Sequence, residues 1–201
     1  MSRLNSWMRR CRNRRFQKRL TNKKFTIFAS NCNGTMITHD LGQQFRSPFV
    51  NLWLTSEDFV CFLEQPRAYL EKELRFVESR YSYPVAKLGD LTLYFQHYEN
   101  EKQVREIWDR RKKRINWDNL FVMMTDRDGC DAALLRRFDA LPYERKVVFT
   151  HVPVPEIASA VYIPGFESQD SVGVCSEFVN GWSGKRYYDS FDFVSWLNGV
   201  N

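Results

Sequence analysis

Three polar clusters each follow an apolar run: Ser30-Asn31-Cys32-Asn33-Gly34, His97-Tyr98 and Asp126-Arg127-Asp128-Gly129. Cys32 sits where a strand turns into a loop, the usual setting for an exposed nucleophile, and a thiol there needs a base. Of the three histidines, His97 is the best placed to be that base, with Asp126 or Asp128 to orient its ring. The backbone N–H groups of Asn33 and Gly34, with the Asn31 amide, suit a developing oxyanion. A bland alternative stands beside each role. Free cysteine is commonly a small buried filler, and a histidine sharing a face with Leu93 and Phe95 is commonly a satisfied core residue.

Asp126 and Asp128 also fit a second chemistry. Two carboxylates one residue apart at a strand end can hold Mg²⁺ or Mn²⁺ against the diphosphate of a sugar nucleotide, because oxygen ligands suit those ions. The same aspartates equally suit turn formation and helix capping. Further on, Lys185, Arg186 and Tyr187 set two cations and an aromatic beside a helix start, a combination that binds phosphate or stacks on a sugar. The chain has no phosphate-binding loop, dinucleotide fingerprint or H-E-x-x-H zinc helix.

The elements that must position these groups alternate between strand and helix. Apolar runs at residues 25–29, 120–124, 146–150 and 160–163 predict strands, and residues 120–124, apolar on both faces, predict a central one. Residues 49–54 are a further strand candidate. Residues 91–97 alternate so that Leu91, Leu93, Phe95 and His97 share a face. Thr55 and Asp58 resemble a capping box. Pro66 should then split the helix into two pieces, the second ending near Arg75. Helices are also expected over residues 101–114 and 131–138, with Ser190 capping a last one. This pattern predicts a single-domain α/β layered sandwich with a mostly parallel central sheet and helices on both faces. Carboxyl ends of parallel strands share one edge, so the three clusters should meet in a crevice there.

The 201 residues are enough for one domain with a real core, and the 43% hydrophobic content argues against disorder. Five cysteines without C-x-x-C spacing read as free thiols. No apolar stretch has the length of a spanning helix or of a signal-peptide core, so the expected compartment is the cytoplasm. The net charge of +6 is unevenly placed: residues 1–24 hold ten basic and no acidic residues, leaving 20 basic against 24 acidic from Phe25 onward. That distribution argues against a nucleic-acid-binding face on the domain. It divides the chain into a basic, flexible N-terminal arm (1–24) and an α/β domain (25–201). Either the arm rests on anionic lipid at the inner face of the membrane, or it is a solvated terminus. On this division, deleting residues 1–19 leaves the fold's stability nearly unchanged.

Read together, these clusters resemble a bacterial family, the domain of unknown function numbered nineteen-nineteen, found among exopolysaccharide and capsule biosynthesis proteins. The marks are Ser30-Asn31-Cys32, Phe45-Arg46-Ser47-Pro48, Tyr83-Pro84-Val85, Leu88-Gly89-Asp90, His97-Tyr98, Thr125-Asp126-Arg127-Asp128-Gly129-Cys130, Phe138-Asp139-Ala140-Leu141-Pro142-Tyr143 and Gly184-Lys185-Arg186-Tyr187-Tyr188-Asp189, together with the run from Arg114 to Phe121. The family's turn Asn-Cys-Trp-Gly-Gly reads Asn31-Cys32-Asn33-Gly34-Thr35 here.

Members often carry the label acetyltransferase, so the resemblance implies a cytoplasmic transferase moving an acyl group from an acyl-CoA-type donor to a sugar hydroxyl of a polysaccharide precursor. Cys32 would take or orient the acyl group and His97 would be the base. Two alternatives stay open: a metal-dependent glycosyltransferase using Asp126 and Asp128, and a non-catalytic binding factor of the polysaccharide machinery.

Overall fold

The computed structural model describes residues 3–199, and its organising strand is β5 (Leu120–Thr125). Val122 and Met124 point into one apolar core, and Phe121 and Met123 into the other. A strand buried on both faces needs covered neighbours, and parallel pairing supplies them. β1 (Thr26–Ala29) lies on one side of β5, with Ala29 opposite Met123. β6 (Lys146–Thr150) lies on the other, with Met124 opposite Val148. β7 (Ala160–Tyr162) completes an all-parallel sheet of order β1-β5-β6-β7.

The crossover from β1 to β5 carries most of the remaining elements. These are α2 (Asn33–Asp40), α3 (Ser56–Glu64), α4 (Pro66–Glu71), the antiparallel sheet β2 (Leu74–Val77), β3 (Val85–Leu88) and β4 (Leu91–Tyr94), and α5 (Glu101–Lys112). α6 (Ala132–Asp139) joins β5 to β6, and α7 (Phe193–Asn198) ends the described chain. One core packs Phe28 of β1 against Phe49, Phe59, Phe62, Trp108 and Phe138; the other packs Ile27 against Ile37, Leu41, Tyr188, Phe193 and Leu197. The α/β class and single domain therefore stand as expected, with a separate three-stranded antiparallel sheet added.

Local signals explain where several helices begin. Thr55 Oγ1 accepts the Asp58 N–H at 3.1 Å, but the Asp58 carboxylate accepts from Thr92 N–H rather than closing the box. Pro66 occupies the first turn of α4, where its missing N–H costs nothing. Asn100 and Asp131 cap α5 and α6.

Four expectations give way. Residues 49–54 form no strand: Asn51 adopts a left-handed φ of 63°, which breaks the extended run, and only Trp53 bridges to Tyr94. α4 stops at Glu71, and the segment expected to remain helical to Arg75 opens β2. β4 ends at Tyr94 because the chain turns, with Tyr98 N–H donating to Phe95 O. His97 is therefore exposed rather than sharing the buried face of Leu91, Leu93 and Phe95. Ser190 ends a 3₁₀ turn, and Asp192 caps α7 instead, accepting from Ser195 N–H.

The basic leader is not an arm set apart. Residues Arg3–Arg19 form helix α1, which lies on the domain. Its inward residue Arg9 is buried and pairs with Asp40 at the end of α2 and with Asp189 at 2.6 Å. Asn13 donates to Asp40 Oδ1 at 2.8 Å, and Gln17 to Asp40 O at 2.9 Å. Charge alone suggested a solvated segment; long-range acceptors more than twenty residues away hold it down.

Candidate functional site

β1 and β5 run parallel, so both end at the same edge of the sheet, and the turn after each opens on one crevice. Its space is about 570 Å³, lined by Asn31, Cys32 and Asn33 after β1 and by Arg127 and Asp128 after β5. Trp53, Gln96 and His97 form a second wall, and residues 174–176 a third. Cys32, His97 and Asp128 thus share one space. His97 arrives by a different route from the one expected, from the turn beyond antiparallel β4 rather than from the end of a parallel strand.

The first turn is built for position. Asn31 Nδ2 donates to Thr125 Oγ1 at 2.9 Å, and Asn31 Oδ1 accepts the Asn33 N–H at 3.1 Å. One end of that amide ties the turn after β1 to β5 and the other closes the turn itself, which leaves it poorly placed to hold an oxyanion. Gly34 does not line the crevice. A Cβ there would come within 2.8 Å of Ala29 Cβ and 3.0 Å of Ile27 Cγ2, so glycine is what lets α2 approach β1. Asn33 is buried, with its side chain against the Cys175 thiol.

Cys32 is partly buried, and burial pushes its thiol up from the ordinary value. A reactive thiolate requires the opposite displacement. No hydrogen bond joins Cys32 to His97 among the described residues. Burial also pushes the Asp128 carboxyl up, and Arg127 opposes this only in part. Asp128 takes a left-handed φ of 57°, tolerable for Asp, while its backbone carbonyl accepts the Ser56 N–H. Neither the Asp128 carboxylate nor the His97 imidazole makes a hydrogen bond or ion pair among the described residues.

Asp126 does different work. Its Oδ2 accepts from His151 N–H at 2.8 Å and meets His151 Nδ1 at 2.5 Å, and its Oδ1 accepts from Val172 N–H at 2.7 Å. The carboxylate therefore ties the ends of β5 and β6 to the segment leading into the third wall. It neither orients His97 nor joins Asp128 around a common metal position. No group of three or more metal-ligating side chains occurs among the described residues.

Lys185, Arg186 and Tyr187 are away from the crevice lining. Arg186 is buried over the Phe178 and Tyr188 rings, with Nε 3.9 Å from Asp40, and Tyr187 packs on Phe166. Their cation-plus-aromatic pattern serves the interior.

Sequence reasoning passed over several members of the site. Trp53 lies flat on Tyr94, with ring centroids 3.9 Å apart and planes 7° apart, and their backbones exchange two hydrogen bonds of 3.0 Å. It gives the crevice an aromatic wall. Arg127 supplies a cation, held at 3.4 Å from Gly173 O. His151 directly follows β6 and holds Asp126 behind the crevice without lining it; the strand-end rule that drew attention to His97 would have found it too.

The chain matches, over residues 4–198, the family described as Domain of unknown function (DUF1919), and it belongs to that family. The match begins inside α1, in keeping with the packing of that helix on the domain. An uncharacterized protein of Haemophilus influenzae is 50% identical over 186 residues, covering 92% of this chain and 90% of the relative. No helix among the described residues is long and apolar enough to cross a membrane.

Proposed function

We propose that the crevice binds a hydroxyl-rich sugar and that the protein transfers an acyl group from an acyl-CoA-type donor to one of its hydroxyls, in surface-polysaccharide assembly. One observation carries the reading: Asp128 and His97, whose side chains make no hydrogen bond or ion pair among the described residues, face the same space as the Trp53 indole and the Arg127 cation. An indole face suits the apolar face of a pyranose, and the exposed Gln96 side chain suits its hydroxyls. The polysaccharide setting rests on the ordered residue marks shared with the family.

The step needs a base, and a carboxylate or imidazole beside the acceptor supplies it. Asp128 or His97 removes the hydroxyl proton as the sugar oxygen bonds to the thioester carbonyl carbon. The C–S bond then breaks, and the departing thiolate takes up a proton. Arg127 offsets the negative charge that gathers on the carbonyl oxygen. Cys32 shapes the wall without forming an acyl-enzyme, because its burial favours the neutral thiol.

The test is transfer of radiolabelled acetyl from acetyl-CoA to a panel of free hexoses, hexosamines and their nucleotide-activated forms. Transfer is expected with the parent chain, with losses of about 10²–10⁴-fold for Asp128→Asn and His97→Ala and little change for Cys32→Ser. Sugar-induced thermal stabilisation without any transfer would replace this reading with a non-catalytic sugar-binding role. Neither stabilisation nor transfer would overturn both.

A further inference from the structure

α1 is an amphipathic helix mounted the unusual way round. At 100° per residue, Asn5, Arg9, Asn13, Phe16 and Leu20 point inward, and the inward contacts of its first three turns are largely polar. The opposite face presents Arg3, Arg10, Arg14, Arg15 and Lys18, all exposed. Two large apolar side chains share that outward face at its amino-terminal end: Leu4, 52% exposed, and Trp7, 54% exposed. Among the described residues, α1 makes its ion pairs through Arg9 and Arg19 alone, so the five outward cations are unmatched.

A second segment lies against the amino-terminal end of α1. Residues 180–184 are clamped to the start of α1: Asn5 Nδ2 donates to Asn180 O at 2.7 Å, and Gly184 N–H donates to Asn5 Oδ1 at 2.9 Å. The approach is so close that a Cβ on Gly184 would lie 2.5 Å from the Arg9 nitrogen. At the tip of this clamped segment stands Trp182, 66% exposed and the most exposed large apolar residue of the molecule's described part. Two tryptophans and a leucine therefore stand at one end of a stripe of cations about 25 Å long, on a rigid mount.

We infer that this face, formed by the outward side of α1 and Trp182, docks on an anionic bilayer surface. Trp7, Trp182 and Leu4 would enter at headgroup level, with Arg10, Arg14, Arg15 and Lys18 on the lipid phosphates. Tryptophan favours that interfacial depth because its ring is apolar and its N–H is polar. Basic side chains near an anionic surface each add attraction that decays within a Debye length. The rest of the chain, from Phe25 onward, carries more acidic than basic residues, so the same field that attracts α1 turns the body away and fixes the orientation. A nucleic acid would meet the cations but leave the exposed Leu4 and both indoles without an apolar phase to enter.

Co-sedimentation of the full chain with sucrose-loaded vesicles tests this. Vesicles of phosphatidylcholine with phosphatidylglycerol should carry the protein down at low salt, and pure phosphatidylcholine vesicles should not. Replacing Arg10, Arg14, Arg15 and Lys18 by Gln should weaken binding roughly fivefold per cation, more than a hundredfold together. Trp7→Ser with Trp182→Ser should remove the binding that survives raised salt. Both variants should melt close to the parent, since these side chains are exposed and form no ion pair or ring stacking among the described residues. If the four-residue variant does not fold, the tryptophan pair carries the test. Equal sedimentation with both vesicle types, retained binding in the variants, or binding to duplex DNA with none to anionic vesicles would overturn the inference.

Discussion

The two ends of α2 treat charge in opposite ways. At its carboxyl end, Asp40 lies in a buried cluster with Arg9, Arg186, Tyr188 and Asp189, two cations against two carboxylates. At its amino end, beside Asn33, the Asp128 carboxylate and the His97 imidazole line open space and make no hydrogen bond or ion pair among the described residues. Burial pushes the Asp40 carboxyl up, but Arg9, the Tyr188 hydroxyl and Arg186 outweigh it and hold it below the ordinary range. Burial pushes Asp128 up as well, and Arg127 does not cancel the effect. One end is charge-matched within the protein, although Arg186 Nε and Asp189 Oδ1 are buried there without a hydrogen-bond partner; at the other, the carboxylate and imidazole line open space. Buried polar groups are normally paired; Asp128 is partly buried and His97 exposed, so both stay open to solvent or to a ligand under the proposed function.

The largest effect should come from breaking the charge-matched end. Arg9→Ala leaves Asp40 and Asp189 buried together without their shared cation and should cost about 3–5 kcal/mol in urea denaturation. The same reasoning makes deletion of residues 1–19 strongly destabilising, contrary to what the charge pattern of the leader implies. Asp40 also sets an acid limit. Its lowered folded value means that its contribution is complete above the unfolded carboxylate value of about 3.9. It is lost as pH falls through the folded value. Asp40→Asn should flatten the acid limb of a melting-temperature profile.

An intermediate loss is expected from Asp126→Ala, which removes the acceptor of three hydrogen bonds between the sheet edge and residues 151 and 172. Roughly 1–3 kcal/mol should go, and Cys175, buried and pushed up to about 12 by that burial, should become open to alkylation as its segment loosens. Cys32 should stay slow towards iodoacetamide at pH 6.5, its labelling rising with pH above the free-thiol value of about 8.5, and His97→Ala should leave that rate alone. Preferential labelling of Cys32 at pH 6.5 would restore it as a nucleophile.

At the surface, the same comparison predicts little. Arg137 meets Glu57 at 2.5 Å and Glu64 at 2.7 Å between α6 and α3, with all three side chains well exposed. Arg137→Ala should cost under about 1 kcal/mol, and less in high salt.

Much of this arrangement was legible in the sequence where local chemistry decides it. β5 and β6 announce themselves because residues 121–124 and 147–149 are apolar without alternation, as double burial requires. Thr55 and Pro66 act through their own backbone positions. β2 was not legible: it is four residues long and follows Glu71-Lys72-Glu73, so its alternation is too short to stand against helix-forming neighbours. The meeting of Cys32 and Asp128 followed from the strand-end rule; His97 reaches the crevice from the antiparallel sheet, which that rule does not foresee. The pairing of Asp126 with His151, and of Arg9 with Asp40 and Asp189, depends on contacts across 25, 31 and 180 positions. No spacing encodes such contacts.

The most direct test of the central claim is the stability and transfer activity of Asp128→Asn between pH 4 and pH 8. Asparagine tolerates the left-handed backbone, so the change removes charge and little else. A carboxyl whose folded value is raised contributes its stability below the unfolded value and loses it as pH climbs through the folded one. The variant should therefore melt above the parent at pH 8, with the difference shrinking towards pH 4, while acetyl transfer to sugar collapses. A variant that melts well below the parent at pH 8, as a broken structural pair would, contradicts the account.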